Sequence, residues 1–439
     1  MKAVTSILLI IALGVFFVNE AQASTPIPAA PQDRPVALTG GTIHTVSGGD
    51  IANGTVLFVN GKIAAIGTDV ELPEGTDQID VSGRHVYPGL IDANTYLGLQ
   101  EIGEVRATRD RRETGDINPN ARAEVAVNPE SELIPVTRSN GVTVALTAPS
   151  GGVLSGTSAL IYLDGWTWED MTLKAPVALH MSWPRMRPVT AWWMRQSPEE
   201  QTKRRDENLK EIADAFADAR AYMIAREAAK GAYRPDSRWE AMIPVLKGEV
   251  PVIVNAGDIE QIEAAVAFAE REQIKLIVHG GYDAPQCADL LTRSDIPVIV
   301  GGVLHNPRRR GDAYDAPFTV PERLRQAGVR YCISGDEGAS NVRNLPYHAA
   351  MAAAYGLPHD EALKAITLYP AQILGVADQI GAIEVGMDAT LIVTNGDILE
   401  IPTHVELEFM RGRRIDLSDK QKLLWLKYQE KYRQLGIGD

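Results

Sequence analysis

His180, His279, His305 and Asp336 each stand at or just after an apolar run, and an imidazole or carboxylate at the end of a buried strand is a side chain able to hold a divalent metal or move a proton. Together they could form one metal site, with Asp336 as general base, if the chain brings them to one place. A hydrogen-bonded core histidine and a carboxylate satisfied at a strand end are the plainer readings of the same residues. A second polar row comes from Tyr87 to Leu99, where alternation puts Asp92, Asn94 and Tyr96 on one face of a strand and Ala93 and Thr95 on the other. Metal-free hydrolysis by two carboxylates, Asp92 and Asp336, is a further option on residue type alone. Arg308-Arg309-Arg310 suits an anion, although a solvated loop is the more ordinary place for such a run.

These residues need strands to carry them. Pro251 to Asn255, Ile274 to His279, Ile296 to Val300 and Arg330 to Ser334 are continuous apolar runs, and Val142 to Leu146 and Ala175 to His180 precede them. Helices are expected over Glu132 to Asn140, Pro198 to Lys230, Ile259 to Glu272 and Pro285 to Arg293. Buried strands alternating with amphipathic helices mean a parallel sheet covered on both faces, either a closed (β/α)8 barrel or an open doubly wound sheet. No nucleotide-type glycine fingerprint follows a strand, since Gly151-Gly152 lacks the required spacing. Before this core lie short β-prone runs, with Asn60-Gly61 as a hairpin signal between two of them. Glu101 to Asn128, carrying Arg106, Arg109, Arg111 and Arg112, is expected to be a long loop over the barrel mouth. Lys420 to Gln434 reads as an amphipathic helix docked on the body.

The formal charge of −14 and pI near 5.2 exclude nucleic acid or an anionic membrane as the main partner, because phosphates would be repelled. A small-molecule substrate is the expected partner. Lys2, the apolar run Ile7 to Val18 and Ala21-Gln22-Ala23 before Ser24 read as a signal peptide, too short to span a bilayer. No membrane association is expected after processing. Cys287 and Cys332 read as unpaired, packed thiols.

The stretch Pro88-Gly89-Leu90-Ile91-Asp92-Ala93-Asn94-Thr95-Tyr96, the run Arg343 to His348 and the closing segments Leu363 to Gly375 and Gly381 to Asn395 resemble the amidohydrolase superfamily, imidazolonepropionase-like branch. The resemblance covers nearly all of the chain after the signal segment. It implies an α/β fold, a (β/α)8 TIM-type barrel plus a small β-sandwich built from both chain ends. The implied organisation is a signal peptide at 1–23, a linker at 24–34, sandwich at 35–87, barrel at 88–375, sandwich again at 376–416 and a C-terminal helix at 417–439. The family's metal ligands are a His-x-His on strand one, histidines on strands five and six and an aspartate on strand eight. Asn94 and Tyr96 stand at the first pair, Asn255 ends strand five, and His279 and Asp336 remain. Asn94, Tyr96 and Asn255 then become substrate-contact candidates. The metal site is reduced: one divalent metal, zinc first, held by His279 and Asp336 with help from His180 or His305, and no binuclear centre.

The implied activity is hydrolysis of carbon–nitrogen bonds other than peptide bonds in amides, cyclic amides or peptide-like small molecules. The alternative is a non-catalytic protein of the same fold that binds a ligand or partners an active homologue. A homo-oligomer or a homologous partner subunit is compatible with either. His44, His85, His359 and His404 read as structural, and His348 as an exposed helix residue able to reach substrate. The expected location is periplasmic or secreted. Sequencing the N-terminus of the exported protein should return Ser24 or a close neighbour, and an intact Met1 would rule processing out.

Overall fold

The computed structural model describes residues 26–229, 234–335 and 338–437. The expected signal peptide, Lys230 and Asp336 lie outside these residues.

Short runs rich in Val, Ile and Thr, punctuated by Gly and Asn, form β1 (Val36–His44), β2 (Asp50–Val59), β3 (Lys62–Gly67), β4 (Asp77–Asp80) and β5 (His85–Pro88). Asn60 and Gly61 join β2 to β3 with φ of 51° and 79°, the positive pair that a two-residue type I′ hairpin requires. A side chain on Gly61 would come within 2.8 Å of the Arg411 carbonyl, because the chain's far end presses on this turn.

The barrel strands are β6 (Leu90–Thr95), β7 (Val142–Thr147), β8 (Leu154–Thr157), β9 (Ala159–Tyr162), β11 (Leu179–Ser182), β12 (Val252–Ala256), β13 (Leu276–Gly280), β14 (Val298–Val300) and β15 (Tyr331–Ile333), while β10 (Thr172–Lys174) pairs only with β9. β6 and β7 are parallel, and β11 through β15 form a parallel run. Between them β8 and β9 act as one bent strand running the other way, β9 against β7 and β8 against β11. Ser158 sits at the bend, donating its N–H to Ala178 and accepting from Val177. On the opposite side Ile366 accepts from Ile91 of β6, and Ala365 accepts from Ile333 of β15. Residues 365–366 therefore bridge the first and last strands. The TIM-type barrel expected from the sequence is present, with one antiparallel member.

The chain then returns to the first sheet as β16 (Leu391–Thr394), β17 (Val405–Met410) and β18 (Arg413–Arg414), β16 pairing with β5, so that both chain ends share an eight-stranded sheet. Two apolar cores result, one inside and around the barrel and a smaller one centred on Phe58, Ile63, Val86 and Phe409.

Several elements differ from their sequence expectation. The strand expected over Ala175 to His180 begins only at Leu179, since Pro176 has no N–H to give a ladder, and His180 is consequently inside the strand. The helix expected over Pro285 to Arg293 opens as a 3-10 turn, Ala284–Cys287, before the helix Ala288–Arg293. The C-terminal helix occupies Lys420–Gln434 as expected, but no residue in it is buried, so its contact with the body covers none of its apolar side chains. Both cysteines are free and buried. No helix among the described residues is long and apolar enough to cross a membrane.

Where sheet, barrel and C-terminal segment meet, a charge cluster is buried. Arg138 Nη1 donates to Asp164 Oδ1 at 2.5 Å and to the Leu163 carbonyl at 3.0 Å, and Nη2 donates to the Asp416 carbonyl at 3.1 Å. Glu408 lies beside them, fully buried, with neither carboxylate oxygen hydrogen-bonded among the described residues. Burial raises its pKa well above the ordinary carboxylate range, Arg138 opposing and Asp164 reinforcing. A carboxyl whose folded-state pKa is raised stabilises at low pH, and that contribution is lost as pH climbs from the ordinary carboxylate value through the raised one. Glu408→Gln should thus gain on the wild type over that window, by about 1.4 kcal/mol per unit of raised pKa. Denaturant melts at acidic and neutral pH test this, and parallel pH profiles for the two proteins would refute it.

Candidate functional site

Residues paired across a parallel ladder project to the same face, which makes the interior of the barrel readable from its register. His180 aligns with Ile253, Ser182 with Asn255, Asn255 with His279, His279 with Ile299, and Ile299 with Cys332. His180, Asn255, His279 and Cys332 thus face one interior, with Asn255 and His279 next to the last residue of their strands, toward the end at which barrel enzymes place their chemistry.

His180 is buried, and its Nε2 has no hydrogen-bond partner among the described residues. Burial, reinforced by the nearby His279, pushes its pKa down to about 3, so the ring stays neutral. His279 is buried as well and lines a cavity of about 350 Å³ at the barrel mouth, which Asn255, Tyr282, His305, Arg308, Gly335 and His348 help to enclose. His305 is exposed, its Nδ1 2.7 Å from the Asn306 carbonyl, and its ring centroid is 5.9 Å from that of Tyr282.

On strand one, Asp92 is spent on backbone. Its Oδ1 accepts from Asn94 N–H at 3.0 Å and its Oδ2 from Gly335 N–H at 3.1 Å. Gly335 tolerates no side chain here, as a Cβ would lie 2.9 Å from Asp92 Oδ2. Asn94 is buried. Tyr96 is half-buried with the Arg111 guanidinium 4.5 Å above its ring, and Arg111 Nη1 donates to Ser150 Oγ at 2.8 Å. The long loop therefore does lie over the mouth, running beside β8 through bridges at Ile117–Leu154 and Arg122–Thr157.

Two sequence readings are corrected. His348 is not an exposed helix residue: it is buried, and its Nδ1 accepts from Val303 N–H at 3.0 Å, which leaves the proton of the neutral ring on Nε2. Arg308-Arg309-Arg310 is not simply a solvated run. Arg309 makes a two-pronged pair with the buried Asp283, at 2.8 and 2.5 Å, and reaches Asp258 at 3.2 Å. Arg308 lies over the Tyr282 ring at 4.9 Å and so close to Gly257 that a Cβ there would meet its Nη1. Tyr282 O–H donates to Asp312 at 2.7 Å and accepts from Arg308 N–H at 3.3 Å. These partners are 26 to 51 residues apart in the chain, and no local pattern announces them.

A divalent metal can be tested against this geometry. Neutral imidazoles are suitable donors, and the buried, unpartnered Nε2 of His180 beside His279 fits one cation. Among the described residues no three His, Cys, Asp or Glu side chains are grouped to hold a metal, so His305 does not complete the pair. Asp336, the remaining candidate, follows Gly335 but lies outside the described residues.

The loop that carries Arg308 depends on Asp283. Asp283→Ala should cost about 1–3 kcal/mol, the range for removing a partner from charged hydrogen bonds. It should also speed trypsin cleavage at Arg308 to Arg310; an unchanged digestion rate would show that the loop is held by something else.

The amidohydrolase family profile matches residues 318–411. Amidohydrolase tasK of Hapsidospora irregularis is 24% identical over 386 residues, which cover 79% of this chain and 38% of that protein. The chain therefore matches well under half the length of that relative. Imidazolonepropionase of Fusobacterium nucleatum is 24% identical over 369 residues, covering 78% of this chain and 84% of the relative. Among solved structures, an amidohydrolase from Thermotoga maritima superposes with a TM-score of 0.77 at 25% identity, over 87% of this chain and 99% of its own.

Proposed function

This chain belongs to the amidohydrolase superfamily, imidazolonepropionase-like branch, a group of hydrolases of carbon–nitrogen bonds other than peptide bonds, and from that premise we propose that it opens such a bond in a small amide, cyclic amide or peptide-like substrate bound at the barrel mouth. The observation that supports the reading best is the pair of buried imidazoles, His180 and His279, with His279 opening into the cavity. The superfamily generally uses divalent metals. In this reading His180 and His279 hold one such ion, zinc for choice; bound there, it would polarise the scissile carbonyl and lower the pKa of a water.

The chain's own groups do the rest. Asp336 takes a proton from the attacking water as its oxygen bonds to the carbonyl carbon, and returns it to the leaving nitrogen as the carbon–nitrogen bond breaks. Asn255 and Arg308 border the cavity and orient the substrate. The Tyr282 ring and the bare Gly257 beneath Arg308 fix where that guanidinium can sit. The segment before Ser24 directs the protein out of the cytoplasm in this reading, to the periplasm or medium.

One observation favours the non-catalytic alternative. Strand one, which supplies two imidazoles in the family pattern, offers instead a buried amide and a phenol capped by a cation. Elemental analysis of protein purified without added metal, with hydrolysis measured on a panel of amides and cyclic amides, separates the two. We expect about one metal equivalent, lost in His180→Ala and His279→Ala, and turnover reduced at least ~100-fold in Asp336→Asn, the scale of general-base catalysis. Two tightly held equivalents would defeat the single-metal reading, and neither metal nor turnover would leave the ligand-binding one.

A further inference from the structure

The C-terminal helix Lys420–Gln434 is built to be ordered. Asp419 caps it, accepting from the N–H groups of Gln421 at 2.8 Å and Lys422 at 3.0 Å. Its large apolar residues nonetheless face solvent: Trp425, Tyr428, Tyr432 and Leu435 are 61%, 49%, 48% and 59% exposed. They recur at intervals of three, four and three residues, which aligns them on one face. Five of the helix's fifteen residues are Lys or Arg and one is acidic, in a chain of formal charge −14.

The helix touches the body at the helix Leu133–Arg138. Beside that element lies a cleft of about 90 Å³ lined by Ile27, Ile134, Trp166 and Met171, with the Arg138–Asp164 pair also in its wall. Ile27 and Trp166 are 73% and 62% exposed. Glu130 lines the cleft, and Glu132, Glu169 and Asp170 stand in the segments flanking it. An apolar cleft with an acidic border and a basic helix with an apolar face are complementary, and both lie on the same side of one molecule.

We propose that a second copy of the chain covers both surfaces, the helix 420–434 of each copy lying in the Ile27–Trp166 cleft of the other about a two-fold axis. Two such helices packed only against each other would bury roughly 800 Å² in all, the level of a chance contact, whereas reciprocal seating doubles the contact to roughly 1,600 Å², the size of a stable interface. Charge selects the same occupant. The acidic border of the cleft attracts the basic helix of another copy.

Sedimentation equilibrium of the full chain tests the assignment, with a dimer expected at about 50 μM. Trp425→Glu/Tyr428→Glu on the helix and Trp166→Glu on the cleft, all at exposed positions, should each weaken association at least ~10-fold with melting temperature unchanged. An equimolar mixture of the two variants keeps one intact helix–cleft contact, so it should associate more tightly than either alone. A tenfold rise in salt should weaken the wild-type dimer. The assignment is overturned by a monomeric wild type, by a Trp166→Glu protein that dimerises normally, which would mean helix-to-helix pairing, or by a monomer that floats with phosphatidylglycerol vesicles.

Discussion

The carboxylate of Asp92 accepts one backbone N–H from its own strand, at Asn94, and another from Gly335, just beyond the last barrel strand, at 3.0 and 3.1 Å with no solvent exposure. Hydrogen bonds to an ionised acceptor are the stronger kind, and both oxygens of this buried acid are used. The first strand is thereby tied to the segment that follows the last. Residues 365–366 join the same two strands through backbone bonds alone. A Cβ at Gly335 would come within 2.9 Å of Asp92 Oδ2, so this close approach of the two strands calls for glycine.

The mouth is fastened by a different kind of contact. Arg309 and Asp283 hold the loop after β14 to the loop after β13, while Arg111 holds the long loop to Tyr96 and Ser150. Arg309–Asp283 and Arg111–Ser150 each join an arginine to a group from another connection, so loops without regular structure are still fixed at defined points. His348 adds a neutral version, its ring nitrogen taking a backbone N–H of the same β14 loop.

What could be read from the residues divides along the range of the interaction. The Asn60-Gly61 turn, the helix Ile259–Glu272 and the apolar strands follow from local periodicity and turn chemistry, and they appear where expected. The barrel itself was legible mainly through resemblance at Pro88 to Tyr96 and in the closing segments, since alternating strands and helices fit an open sheet equally well. The direction of the bent strand from Leu154 to Tyr162 was not legible, because a four-residue apolar run carries no sign of its orientation. Nor were Arg308 and His348. Their placement rests on Tyr282, Gly257 and Val303, partners set by folding rather than by any neighbouring pattern.

The reversed strand has a consequence for traffic through the molecule. β8 and β9 descend from the mouth, so the connection Leu163 to Ala178, with Trp166, emerges at the floor, next to the helix Leu133–Arg138 and the C-terminal segment. The cavity beside His279 opens at the roof. Whatever gathers at the floor leaves the cavity at the roof, with the long loop beside it, untouched. The two ends of the barrel are thus free to change independently.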